Sequence, residues 1–200
     1  MGSRGDRTVF SIAVLWTCYM AAQVVHLDHG SYSTEYDPAL RIPVTADWLL
    51  FNTMLGKVKR ESGWPFKEDS RVPSPRAKSS DYTRSGFDRG HMVPAADRSS
   101  STQAMRSTFV MTNVCPQVPT LNRGSWKFYE DATRRVAAGG RKLRVRADAV
   151  FWRADTLRIG ADSVAVPHAF VKTVWDAEAD TIMFSKYFLN WTVNGNFWKE

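Results

Sequence analysis

Residues 57–90 read KVKRESGWPFKEDSRVPSPRAKSSDYTRSGFDRG, a stretch dominated by proline, serine, glycine and charge. A connection of this length without regular structure, inside a compact domain, is either functional or disordered. It pushes the regular elements to either side of itself. It also makes the segment it feeds, FDRGHMVPAAD at 87–97, the first place to look for chemistry.

Upstream, ADWLLFNTML at 46–55 has mixed apolar content that suits a strand or a short helix. Downstream, QAMRS followed by TFVMTN predicts a helix entering a strand between Gln103 and Asn113. In TLNRGSWKFYEDATRRVAAGG, the positions Trp126, Tyr129 and Val136 fit one face of a helix that ends at Gly139-Gly140. KLRVRADAVFW alternates apolar and polar residues as a strand does, and SVAVPHAFVKTVWD and TIMFSKYFL read as two further strands. Strands and helices do not alternate regularly, so the order favours an α+β class over a doubly wound sheet.

The chain has 200 residues, 44% of them hydrophobic, enough for one domain with a proper core. A formal charge of +7 favours a polyanionic partner, either nucleic acid or an anionic membrane surface. Cys18 and Cys115 make neither a disulfide scaffold nor a clustered zinc site, and each is expected as a small buried side chain. Arg4 and Arg7 precede an uncharged run at 10–25, FSIAVLWTCYMAAQVV. This run is short for a spanning helix and resembles a signal peptide or membrane anchor, with a buried first helix as the alternative. The expected division is a targeting or anchoring segment over 1–30, with membrane contact through 10–25, and a globular domain over 31–200.

Asp88, Arg89, Gly90 and His91 stand in succession. A neighbouring guanidinium opposes protonation of an imidazole, and neutral imidazole is the form a general base needs. The same guanidinium offers a planar fork of donors to a phosphate. Asn122 carries a carbonyl oxygen suited to a hard cation, and magnesium keeps waters and needs few protein ligands. Glu130 lies eight residues after Asn122, and Arg134 four further on, so a helix from Asn122 would place all three on one stripe. Plainer readings exist for each: a structural histidine, an asparagine helix cap, a surface Glu130–Arg134 pair, and an Asp88 that anchors the loop.

Several motifs in fixed order bear on that choice: Asp88-Arg89-Gly90-His91, Asn113 with Pro116-Gln117, Leu121-Asn122, and Glu130. Together with FKED, SDYTRSGFDRGH and AVPHAFVK, they resemble the DNA/RNA non-specific endonucleases, and the endonuclease G branch in particular, over roughly residues 32 to 190. The resemblance implies a ββα-metal fold with a central antiparallel sheet flanked by helices. It implies Mg²⁺-dependent hydrolysis of DNA and RNA, with Mn²⁺ as an alternative ion. It further implies His91 as general base, Asn122 as direct metal ligand, Glu130 as holder of metal-bound water, and Arg89 as a phosphate contact. Arg134 and Asn113 carry over as site-supporting residues, Asn113 and Asp88 on the substrate side, and Arg60 matches a phosphate-binding arginine. A homodimer and a mitochondrial intermembrane or inner-membrane location are expected, with a secreted or periplasmic enzyme as the alternative. The strand after the metal helix reads RADAVF at 146–151, where the family usually has a Thr-Gly-Pro-like segment. That departure keeps a second reading open: a weakly active or inactive nuclease-fold subunit, structural or nucleic-acid-binding, in a larger assembly.

Overall fold

A computed structural model describes residues 23–152 and 156–191. A six-stranded antiparallel sheet forms the centre, built from β1 (Val25–Asp28), β2 (Ser33–Asp37), β3 (Ile42–Leu50), β6 (Leu143–Val150), β9 (Ala169–Asp176) and β10 (Thr181–Leu189), in that spatial order. The sheet takes in Val25–Asp28, a segment ahead of residue 31. Most of the apolar run at 10–25 lies outside the described residues. Among the described residues, no helix is long and apolar enough to cross a membrane.

Alternation along the strands decides which face packs. Trp48 pairs with Val145, which pairs with Val174; Ala46 pairs with Ala147, which pairs with Lys172. This row is buried, and Leu50, Leu143, Phe170 and Phe188 extend it. The opposite row carries Asp47, Arg144 and Arg146, where Arg144 bonds Asp47 at 2.7 Å across two strands.

On the buried face lies a helix, α2 (Lys127–Ala138). Trp126 at its entrance meets Phe170 and Phe188 with ring centroids 5.6 and 5.2 Å apart, and Tyr129 meets Phe188 at 5.2 Å. The helix stops at Gly139, and Gly140 takes a φ of +102° that favours glycine. Its start differs from the sequence expectation. Residues Leu121–Trp126 form a widened, kinked turn in which Gly124 leaves the helical region, so Asn122 precedes the regular helix.

Between β3 and α2 lies a two-stranded antiparallel ribbon, β4 (Asp88–His91) with β5 (Val114–Gln117). A short helix α1 (Thr102–Ser107) stands between them, its N-terminus capped by the Ser101 side chain. The strand expected over TFVMTN begins later, at Val114. Met111–Asn113 is instead a 3-10 turn, because the Asn113 side chain is engaged by the backbone of Val93 and Thr108. Likewise SVAVPHAFVKTVWD is two strands. A small hairpin of β7 (Arg158–Ile159) and β8 (Val164–Ala165) precedes β9, and Pro167, which has no N–H for a ladder, falls in the gap. Over 46–55, β3 runs to Leu50 and a 3-10 turn follows at Asn52–Met54.

Candidate active site

The ribbon and the N-terminal part of α2 enclose a cavity of about 660 Å³. Arg60, Asp88, Arg89, His91, Asn122, Arg123, Glu130 and Arg134 are among its walls. Seven of the eight residues singled out in the sequence therefore meet at one place. Asn113 does not. It is fully buried, with its Oδ1 accepting from Val93 N–H and its Nδ2 donating to the Val93 and Thr108 carbonyls. Its role is to hold the chain just past His91, and the substrate-side placement is corrected accordingly.

The ribbon needs a glycine at position 90. A Cβ there would stand 2.2 Å from Gln117 Oε1, well inside contact distance. The close approach that results fixes Arg89 and His91 on either side of it. His91 packs against Phe66 and Phe109, both with ring centroids at 5.0 Å. Its Nε2 is covered and without a hydrogen-bond partner, so Nδ1 is the nitrogen left for the cavity. Burial pushes the imidazole down to about 3, and the charge of Arg60 adds to the effect. The imidazole is therefore neutral, as the sequence argument required, but for a different reason: the enclosing aromatic rings lead, and Arg60 rather than the adjacent Arg89 follows. Arg89 points elsewhere. Its Nη2 donates to the Ser79 carbonyl at 2.6 Å, its guanidinium lies over Tyr82, and its Nε is covered, which leaves Nη1 for a substrate.

Asn122 is held by its amide nitrogen, which donates to Asp88 Oδ2 at 2.9 Å. Asp88 also accepts from Arg123 Nε and Nη2, at 2.7 and 2.6 Å, and these donors keep its carboxyl below the usual range despite partial burial. The bond fixes which end of the Asn122 amide is nitrogen and leaves Oδ1 of this cavity-lining residue without a protein partner among the described residues. Asp88 thus does anchor the loop, and through Asn122 it also orients the site.

Glu130 and Arg134 sit one helical turn apart, yet they do not form the surface pair of the plainer reading. Arg134 spends Nη1 on the buried Asp97 at 2.8 Å and Nη2 on Asp131. Asp97 also accepts from Trp48 Nε1 at 2.9 Å. Arg134 thus ties α2 to the segment after His91. Glu130 instead faces Lys172, whose buried Nζ stands 3.7 Å from Oε1 and 3.8 Å from the Trp126 ring centroid. Burial raises the Glu130 carboxyl to about 7 against the pull of Lys172, and burial lowers the Lys172 ammonium.

Sequence reasoning missed Lys172, Asp97, Arg123, Phe66 and Phe109 as parts of the site. For Lys172 a signal existed: it stands two residues from Phe170 and two from Val174, on the inward face of an alternating strand, where a lysine requires a partner.

The donor set suits a hard cation with few protein ligands: one oriented amide oxygen, one buried carboxylate nearby, and room for water. Among the described residues, no group of three or more histidine, cysteine or acidic side chains forms a denser cage.

A two-stranded ribbon carrying the histidine, followed by a kinked turn carrying the asparagine and a helix carrying the glutamate, packed on an antiparallel sheet, defines a ββα-metal nuclease fold. The chain belongs to the DNA/RNA non-specific endonuclease family, whose model matches residues 19–192. It is 34% identical over 157 residues to mitochondrial endonuclease G of Homo sapiens, covering 72% of this chain and 52% of that protein. It is 32% identical over 161 residues to mitochondrial nuclease 1 of Schizosaccharomyces pombe, covering 74% and 50%. A bacterial relative, a nuclease of Nostoc sp., is 35% identical over 120 residues, covering 59% and 43%. The chain thus spans about half the length of these relatives. Among solved structures, that of the EndoG/EndoGI complex superposes with a TM-score of 0.76 at 26% identity, over 86% of this chain and 76% of that one.

Proposed function

We propose that the chain is a metal-dependent endonuclease that hydrolyses phosphodiester bonds of DNA and RNA. The observation that carries this reading is the meeting of a desolvated, neutral His91 with the free Oδ1 of Asn122 across one cavity. His91 Nδ1 takes the proton of the attacking water. Asn122 Oδ1 would hold the cation, Mg²⁺ by its oxygen preference with Mn²⁺ as a substitute, and Glu130 would support it through water. When bound, the cation supplies Lewis-acid stabilisation of the phosphate and the leaving oxygen. Arg60 and the free Nη1 of Arg89 supply positive charge to the phosphate. Arg134 and Asn113 keep α2 and the segment after His91 in place.

Contacts of this kind go to phosphate and carry no sequence information, so cleavage without sequence preference follows. The names of the relatives favour a mitochondrial setting, and the Nostoc nuclease keeps a bacterial one in view. Digestion of plasmid DNA and of RNA with Mg²⁺, and with EDTA in its place, tests the reading. Cleavage of both that EDTA stops is the expected result. Cleavage of neither, or cleavage indifferent to EDTA, contradicts it.

A further inference from the structure

A second hollow opens one aromatic ring away from His91. Trp64, Pro65, Lys67, Arg106 and Phe109 enclose about 110 Å³. Phe109 touches both neighbours: its ring meets His91 at 5.0 Å and Trp64 at 5.4 Å. The Arg106 guanidinium lies over the Trp64 indole, 4.7 Å from its centroid, and that of Arg60 lies 4.8 Å from the Phe109 centroid. Glu61 accepts the indole N–H at 3.1 Å and fixes the plane of the ring.

The charges here differ from those on the opposite sheet face. Arg144 and Arg146 there are bound to Asp47 and Asp148. Lys57, Lys59, Arg60, Lys67 and Arg106 are exposed, and among the described residues none of them enters an ion pair, although Glu61 and Glu68 stand nearby. An aromatic platform between unpaired cations is the chemistry that grips a single nucleic-acid strand: the cations track phosphates and the rings stack bases. Bases in a duplex point inward and cannot reach such a platform.

We propose that Trp64, Lys67 and Arg106 form a strand-binding subsite that stacks an unpaired base next to the scissile phosphate. This subsite rests on the nuclease reading for its direction, since Phe109, in ring contact with both Trp64 and His91, puts the platform next to the proposed base. It makes single-stranded nucleic acid a better ligand than duplex. The phosphates on that strand meet Lys67 and Arg106, and a base stacks on the face that Arg106 and Trp64 present together.

The test is binding of a fluorescent single-stranded DNA oligonucleotide, and of its duplex, followed by anisotropy in EDTA, where no cleavage is needed. Trp64→Ala is expected to raise the single-strand Kd by roughly 5- to 100-fold and to leave the duplex Kd within about twofold, on the usual size of base–aromatic stacking. Trp64→Phe should recover most of the loss. The Lys67→Ala, Arg106→Ala double variant should lower the slope of log K against log salt by about 1.4, at about 0.7 per phosphate contact on a single strand. An unchanged single-strand Kd in Trp64→Ala, or an equal loss on duplex, overturns the subsite. Trp64-dependent binding by a parent protein that cuts nothing would sink the nuclease reading and keep the subsite; cutting without Trp64 dependence would do the reverse.

Discussion

Lys172 and Glu130 face each other across 3.7 Å, one from strand β9 and the other from α2, with the Trp126 ring against the ammonium. The pair joins the sheet to the helix behind Glu130, which lines the cavity. Loss of one partner strands the other among apolar side chains, at a cost of about 3 kcal/mol for a broken buried pair. Lys172→Met should therefore lower the unfolding free energy by about that amount in urea titration. Adding Glu130→Gln to the same chain should recover most of it, since two neutral groups need no mutual compensation. A single variant as stable as the parent, or a double variant less stable than the single, would show that the pair does not hold the two layers together.

Asp88 is a positioning residue, acting through Asn122. Replacing it with alanine removes the acceptor that fixes the Asn122 amide and frees Arg123. The expected result is a rise of about 10- to 100-fold in the Mg²⁺ concentration that gives half-maximal cleavage, the usual effect of losing a ligand's outer partner. Saturating Mg²⁺ should restore most of the rate. A rate deficit that no Mg²⁺ concentration repairs would assign Asp88 a different task.

Gly90→Ala should fail for a local reason. The added methyl meets the buried Gln117 side chain at 2.2 to 2.6 Å, and β4 and β5 must part to admit it. Overpacking of this kind costs about 1–3 kcal/mol. It should lower the thermal midpoint and displace His91, so activity falls by more than the loss of folded protein explains. A variant with parent-like melting and cleavage would mean that the ribbon yields freely.

Acid should weaken the fold through two histidines. Burial leads in pushing His91 down to about 3 and His29 to about 4, with Arg60 and Arg71 adding to it. In the unfolded chain both take protons near 6.5, so the unfolded state binds more protons between the two values. Stability is then complete above about pH 6.5 and declines as the pH falls through 5 toward 3. At pH 5 the cost from His91 alone is at most about 2 kcal/mol. Urea midpoints at pH 7 and pH 5 measure it, and His91→Gln should fall less between them than the parent. Equal falls would mean that His91 is not held neutral by its surroundings.

Much of this was legible in the sequence, for identifiable reasons. Strand alternation exposes the inward row Leu143, Val145 and Ala147, and the double glycine at 139–140 marks the end of α2. The site residues from Asp88 to Arg134 follow from motif order, and the cavity gathers all but Asn113. What stayed hidden depends on contacts between distant segments. The sequence pairs His91 with its neighbour Arg89, whereas the fold sends Arg89 to Ser79 and brings Phe66, Phe109 and Arg60 to the imidazole. Arg134 looks like half of a surface pair until Asp97 arrives from the segment after β4. Gly124 reads as an ordinary helix residue, and only the backbone reveals that it kinks the entry and leaves Asn122 ahead of the regular helix.

The central proposal is that His91 is the general base beside a cation held by Asn122, and one comparison tests it most directly: Mg²⁺-dependent plasmid nicking by the parent and by His91→Ala, with circular dichroism spectra and thermal midpoints of both. Loss of a general base costs about 10²- to 10⁴-fold in rate. The predicted result is a fall of at least that lower size in the folded variant. Nicking by folded His91→Ala at the parent rate would contradict it.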